Sequence, residues 1–265
     1  MSETPAPRPA ATVLPLRDGP GGLEVFMLVR AREIDFASGA WVFPGGRVDG
    51  ADTAEAARTR ATGAEGLSPE ELGYAVAAAR EAFEECGILL ARPAGESRLV
   101  EGGRAAALFA KWRGPLVERK AGIGEVLAAE NLVLALDRLV TFAHWLTPPI
   151  RAKRFDTRFF LMRAPEDHVA RHDGHESIDS AWVDAAKAVS EGDAGARKLV
   201  FATRQNLDRL SRSASVESAF AAARAQKLVP ICPEVVQGKD GPALRIPADA
   251  GYAVTEMPLS RLPRP

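Results

Sequence analysis

Cysteine is nearly missing: only Cys86 and Cys232 occur among 265 residues. Two thiols so far apart in sequence make neither a disulfide framework nor a zinc cluster, and a reducing cytoplasm is the expected setting. Long apolar runs are missing too. None approaches the roughly 20 residues that a membrane span requires, and the opening MSETPAPRPAAT has neither the apolar core of a secretory signal nor the arginine-rich pattern of a transit peptide. Net charge is also nearly absent. With Lys and Arg at 34 against Asp and Glu at 35, the formal charge is −1, so no bulk field draws the chain to nucleic acid. What remains is an ordinary globular composition, 46% hydrophobic and 26% charged, long enough for one large domain or a domain with an insertion. Residues 1–10 read as a flexible Pro/Ala tail and 11–265 as a single domain without internal repeats.

Turn chemistry at Arg17-Asp-Gly-Pro-Gly-Gly22 separates two aliphatic runs, Thr12 to Leu16 and Leu23 to Arg30, which predicts a hairpin. Trp41-Val-Phe43 forms a third short strand before Pro44-Gly45-Gly46. Ser68, Pro69 and Glu71 make a capping box with proline at the first helical position, and the helix they start runs to about Cys86, with Gly87 at its end. The segment 102–139 reads as an inserted helical layer without a strand, broken at Gly114-Pro115. Strands return at Val140 to Leu146, Arg158 to Arg163 and Asp179 to Val183. Helices follow at Asp184 to Glu191, Thr203 to Ser211 and Val216 to Lys227, and a hairpin turns at Gly238-Lys-Asp-Gly241. Strands and helices mixed in this way predict an α+β fold, an α/β/α sandwich with a mixed sheet, rather than a doubly wound one.

The stretch from Arg80 to Ile88 is the most informative. With Glu81 at 0° on a helical wheel, Glu84 falls at about 300° and Glu85 at about 40°, while Ala75, Ala79, Ala82, Phe83 and Cys86 lie between about 100° and 200°. Three carboxylates share one face, and each like-charged pair costs a few tenths of a kcal/mol on an exposed helix. A hard divalent cation offsets such repulsion, because Mg²⁺ takes oxygen ligands from one or two carboxylates together with substrate phosphates. A backbone carbonyl of the Pro44-Gly45-Gly46 turn is a further oxygen within reach, since glycine lets a main chain approach closely. A bare Glu-x-x-Glu-Glu is often only a solvated face. The glycines upstream tell against that.

Gly46-Arg-Val-Asp-Gly-Ala-Asp52, followed by Arg80-Glu81-Ala-Phe-Glu84-Glu85-Cys-Gly87-Ile88, resembles the Nudix box, Gly-x5-Glu-x7-Arg-Glu-U-x-Glu-Glu-x-Gly-U with U aliphatic. Asp52 and Ala82 stand in for two of its residues. The box places its arginine at position 60, whereas the match is Arg80, so 20 extra residues interrupt the motif; the insert 53–67 is expected to loop out, since closure entropy grows slowly with length. Whether Asp52 completes the box stays open. Phe26-Met-Leu-Val-Arg30, Trp41 to Asp49, Trp145-Leu-Thr-Pro148, Arg154 to Phe160 and Glu176 to Trp182 look like the branch of Nudix hydrolases with an interrupted box that acts as coenzyme A or acyl-CoA diphosphatases.

The resemblance implies a Mg²⁺ or Mn²⁺ site built from Glu81, Glu84, Glu85 and Gly46, an Arg80 that orients a carboxylate by salt bridge, and Glu176 as the candidate for a general base or an extra metal ligand from outside the box. It implies a nucleotide substrate bound by Gly45, Gly46, Arg47, Arg154 and Arg158, the last two within a basic cluster with Arg151 and Lys153 and pointing the same way along a strand. His172 and His175 are weaker phosphate candidates. Trp112, Leu108, Phe109, Leu116, Leu127 and Leu132 are either core or an acyl groove, Phe155, Phe159 and Phe160 belong to the core, and Cys86 is an inert buried thiol. The activity expected is cleavage of coenzyme A or acyl-CoA to 3′,5′-ADP and (acyl-)4′-phosphopantetheine. Hydrolysis of ADP-ribose, dinucleoside polyphosphates or nucleotide sugars stands beside it, as does a nucleotide-binding module without catalysis. A homodimer, formed through the C-terminal arm, is compatible with the sequence. Neither nucleic acid nor a membrane is expected as partner.

Overall fold

A computed structural model describes residues 5–31, 38–174 and 176–261. Strand β1 (Arg8–Gly19) sits in the middle of the main sheet. Its later half turns back into β2 (Gly22–Arg30), while its first half pairs with β4 (Gly45–Arg47); β3 (Trp41–Val42) adds to β2. After these come α1 (Glu55–Arg58), β5 (Ala61–Thr62), α2 (Pro69–Cys86) and β6 (Ala91–Pro93). Next are α3 (Gly102–Val117), α4 (Ile123–Ala129), β7 (Leu132–Ala135), β8 (Leu139–Leu146), β9 (Phe155–Arg163) and β10 (Ser177–Asp184). Three helices follow, α5 (Ala185–Asp193), α6 (Phe201–Leu210) and α7 (Val216–Ala225), then β11 (Pro230–Ile231), β12 (Glu234–Gly238), β13 (Gly241–Arg245) and β14 (Glu256–Pro258).

The main sheet runs β10-β2-β1-β9-β8-β11, mixed because β1 lies parallel to β9, and β8 to β11. Side chains alternate across it. Ala11, Val13, Phe26, Leu28, Phe160 and Met162 join the core beneath α2; Leu14, Leu16, Val25, Met27, Phe159 and Leu161 join a second core with residues of α5, α6 and α7. A strand buried on both faces reads as a continuous apolar run, which is why Ala10 to Leu16 shows no alternation. The α/β/α sandwich is thus as expected, and its later elements fall within a few residues of their sequence-based positions. Among the described residues no helix is long and apolar enough to cross a membrane.

Three expectations are corrected. The tail does not extend to residue 10: β1 begins at Arg8, whose N–H donates to the Arg154 carbonyl, and the Pro9 carbonyl accepts from Val48 N–H. The segment 102–139 is not wholly helical, since β7 lies within it; Leu-Val-Leu-Ala is too short for periodicity to separate strand from helix, and its partners decide. Those partners are β5, parallel, and β6, antiparallel. Nor does Gly114-Pro115 break α3. Glycine before the proline has no Cβ to clash with its ring, and the helix ends only two residues beyond, at Val117.

The sheet β5-β7-β6 joins the segment that interrupts the box to the segment after α2. Arg92 donates to Asp137 at 2.7 and 2.8 Å and to Thr62 at 2.6 Å, tying the same pieces. α4 crosses α1 at backbone contact, for a Cβ on Gly124 would lie 2.7 Å from the Ala56 carbonyl carbon and 2.9 Å from Ala57 N. Gly124→Ala is therefore expected to lower stability by about 1–3 kcal/mol through overpacking, read by urea denaturation. An unchanged midpoint would show that the two inserts separate freely.

Candidate active site

The helix α2 is defined at both ends. Ser68 Oγ accepts from Glu71 N–H and Glu71 Oε2 from Ser68 N–H. Gly87, at φ 72°, closes the far end by donating to Phe83 O, while Ile88 N–H reaches Ala82 O. Between these caps the acidic face is not solvated: Arg80, Glu81 and Glu84 are all buried.

Arg80 makes that burial possible. Its Nε and one Nη meet Asp52 Oδ1 and Oδ2 at 2.9 Å each, a bidentate fork on a carboxylate with no exposed surface. The other Nη donates to Glu81 Oε1 at 2.8 Å and Glu84 Oε1 at 3.2 Å, and a fifth bond reaches the Arg47 carbonyl. The wheel sets Arg80 off the acidic face, yet its side chain is long enough to bend back to two glutamates. Asp52 is thereby given a role that spacing left open: it fixes the arginine and also accepts from Asp49 N–H.

The glycine turn is fitted to the same carboxylates. Gly45 N–H donates to Glu85 Oε2 at 2.9 Å, and a Cβ on Gly45 would lie 2.5 Å from the Ala11 carbonyl oxygen. A Cβ on Gly46 would overlap the Glu81 carboxylate. Burial raises the carboxyl of Glu81 to about 7, with Arg80 opposing and Glu84 reinforcing. Burial likewise raises Glu84, against the pull of Arg80. It lifts Glu85 well above the usual range, helped by the charges of Glu81 and Glu176 and opposed by Gly45 N–H and Arg30. Arg80 is held cationic, its partners outweighing the burial that works against its charge.

These groups line one part of a cleft of about 850 Å³. Glu176, Arg47, Gly45, Gly46, Arg30 and Arg113 share it. Its lining also includes the apolar Trp145, Phe155, Phe159, Phe201 and Leu244 and the cationic Arg151, Lys153 and Lys198. Among the described residues no three His, Cys, Asp or Glu side chains are already drawn into a metal-binding group. Glu81 and Glu84 are turned to Arg80, and Glu85 to Gly45 N–H. The donor set nonetheless fits a hard divalent cation: the oxygens are carboxylates, one guanidinium is shared among several acids, and side-chain space is withheld at Gly46.

Arg154 and Arg158, expected to contact substrate, lie elsewhere. Neither is among the residues that line the cleft. Arg154 donates to the carbonyls of Thr147 and Pro5, and Arg158 lies 5.3 Å from the ring centre of Tyr74 on the α2 side. Phe155, Thr157 and Phe159 are the residues of β9 that face the cleft. Alternation gives two sides, and only the register with β1 says which is which. Arg151 and Lys153 do line the cleft, so the basic cluster is divided.

His172 Nδ1 sits 3.0 Å from Ser180 Oγ, and His175 lies outside the described residues. Trp112 donates to Glu130 and packs on the core, whereas Leu116, Val117 and Ile123 of the insert line the cleft. Cys86 is buried, its thiol pushed up by burial and donating to Ala82 O. Lys198, Arg113 and Asp173, which also line the cleft, gave no local sequence signal: each is a charged residue outside any recognisable motif, in a linker, an insert helix or a loop.

A family model described as the NUDT19 Nudix domain matches residues 54–203. The chain is 28% identical over 220 residues to the acyl-coenzyme A diphosphatase NUDT19 of Homo sapiens, covering 68% of this chain and 59% of that one. It is 28% identical over 214 residues to the acyl-coenzyme A diphosphatase NUDT19 of Gallus gallus, covering 64% and 56%. It thus spans less than two thirds of these relatives' length. The crystal structure of a Nudix hydrolase from Alicyclobacillus acidocaldarius superposes with a TM-score of 0.67 at 28% identity, covering 83% of this chain and 97% of that one.

Two outcomes follow from the buried charges. Folded carboxyls raised above their unfolded values favour folding fully below the unfolded value, and that contribution is lost as pH rises through the folded one. For Glu81 the window runs from 4.5 to about 7. In EDTA, stability should fall between about pH 5 and pH 8, Glu85→Gln should flatten the slope, and Mg²⁺ should raise Tm more at the upper pH. A Tm independent of pH in EDTA would contradict this. Arg80→Met strands Asp52 without surface and should cost about 3–5 kcal/mol, measured by denaturant unfolding; a loss under 1 kcal/mol would mean that the network is weakly coupled.

Proposed function

Because the chain belongs to the Nudix hydrolases, matched over more than half its length by the NUDT19 Nudix domain, we propose that it is a divalent-cation-dependent diphosphatase. It splits coenzyme A or acyl-CoA into 3′,5′-ADP and (acyl-)4′-phosphopantetheine. The observation that carries this reading is the cleft itself. Buried carboxylates and a glycine turn line it together with aromatic and cationic side chains, as suits a substrate with a diphosphate between a phosphorylated nucleoside and a long arm. The relatives named acyl-coenzyme A diphosphatase support the choice.

Glu81, Glu84 and Glu85, with the Gly46 carbonyl, would hold Mg²⁺ or Mn²⁺. Such an ion neutralises phosphate charge and lowers the pKa of bound water. Arg80 and Asp52 keep Glu81 and Glu84 in place without touching substrate. Glu176, lining the cleft with Glu85, takes the proton of the attacking water as its oxygen bonds to phosphorus and the bridging P–O bond breaks; the other phosphate leaves with that electron pair. Gly45, Gly46 and Arg47 border the diphosphate, and Arg151, Lys153 and Lys198 replace Arg154 and Arg158 as the cations for the 3′-phosphate. Free cysteines at 86 and 232 accord with a reducing compartment, the cytoplasm.

Incubation with CoA, an acyl-CoA, ADP-ribose and diadenosine polyphosphates, with Mg²⁺ or EDTA, tests the reading. Metal-dependent release of 3′,5′-ADP is expected, lowered about 100-fold or more in Glu85→Gln. Cleavage of ADP-ribose or dinucleotides alone would overturn the substrate assignment, and no cleavage at all would overturn the activity.

A further inference from the structure

Glu176 projects from a loop rather than from a regular element, so its position depends on what holds that loop. The holding contacts converge on the end of α2. Closure at Gly87 leaves the carbonyls of Glu84, Glu85 and Cys86 without donors from the helix's own continuation. Arg171 N–H takes the Cys86 carbonyl at 3.3 Å, and Arg113 Nε takes the Glu84 carbonyl at 2.8 Å. The same guanidinium reaches Asp173 Oδ2 at 2.5 Å. Asp173, its side chain only 2% exposed, accepts the Glu176 N–H at 3.2 Å and the Ser177 N–H at 3.0 Å. On the other side Ala31 N–H donates to the Glu176 carbonyl at 2.9 Å.

We propose that Arg113 and Asp173 are positioning residues for the reaction: a clamp through which the inserted helix α3 sets Glu176 against the carboxylates of α2. The inference rests on the reading of Glu176 as general base. The geometry calls for arginine, because two acceptors in fixed and different directions must be met at once by a rigid planar group. A base displaced by an ångström loses much of its effect while ground-state binding survives. The inserted segment, on this account, is part of the catalytic apparatus. Through Arg113 it supplies a side chain that joins the backbone of the acidic helix to the loop bearing the base.

The experiment compares Arg113→Met, Arg113→Lys, Asp173→Asn, Glu176→Gln and the Arg113→Met/Glu176→Gln double variant, with coenzyme A and Mg²⁺, after thermal melts establish folding. Arg113→Met should lower kcat about 10- to 100-fold with KM changed less than about threefold, and Arg113→Lys should recover part of the loss. The double variant should be no slower than Glu176→Gln alone, because a clamp has nothing left to position once the base is gone. Additive losses, a raised KM with kcat unchanged, or full activity in Arg113→Met would overturn the clamp while leaving the base assignment standing. Full activity in Glu176→Gln would instead overturn the base assignment, and the clamp with it. If Arg113→Met does not fold, Asp173→Asn carries the same comparison with a side chain of equal shape.

Discussion

Three glutamates on one helix face, two of them buried, form a set of like charges that water does not screen. Arg80 is what lets them coexist. One planar group meets Asp52 with a fork, Glu81 and Glu84 with one nitrogen, and the Arg47 carbonyl with another. The glycine turn, the start of the box insert and the acidic helix are thereby tied at one point, and the cleft takes its shape from their meeting. Breaking such a pair is far more damaging than the pair is stabilising, because the partner left behind is an unpaired buried charge.

This point also accounts for how the motif survives its interruption. Asp52 and Arg80 are 28 positions apart, and the chain between them does not hang loose. It contributes β5 to a small sheet with β7 and β6, packs α1 against α4, and is crossed by the Arg92, Asp137 and Thr62 contacts. Arg119 of the second insert reaches Asp49 at 3.1 Å, inside the first part of the box. An insertion adds only a slowly growing closure entropy, and here packing against a second insertion offsets it.

The cleft joins chemistry from both sides of the main sheet. Carboxylates come from α2 on one side; Trp145, Phe155, Phe159 and Phe201, which pack into the other core or line the cleft beside it, come from the opposite side. The short β4 and its two glycines stand between: a side chain at Gly45 would collide with the backbone of β1, and one at Gly46 with the Glu81 carboxylate.

Much of this was legible in the residues themselves. Local rules, acting within a few positions, set the capping box at Ser68, the left-handed closure at Gly87, the acidic face of α2 and the hairpin turns, and the sequence alone therefore determined the helix, its carboxylates and the family resemblance. Tertiary structure decided whatever depends on partners distant in the chain: that Asp52 serves Arg80, that Leu132–Ala135 is a strand, that Arg8 to Ala10 join the sheet, and that Arg154 and Arg158 are not among the residues lining the cleft while Lys153 and Lys198 are. Alternation along a strand is a local property, but which side faces the cleft is fixed by hydrogen-bond register with a neighbour more than a hundred residues away. No spacing within β9 encodes that choice.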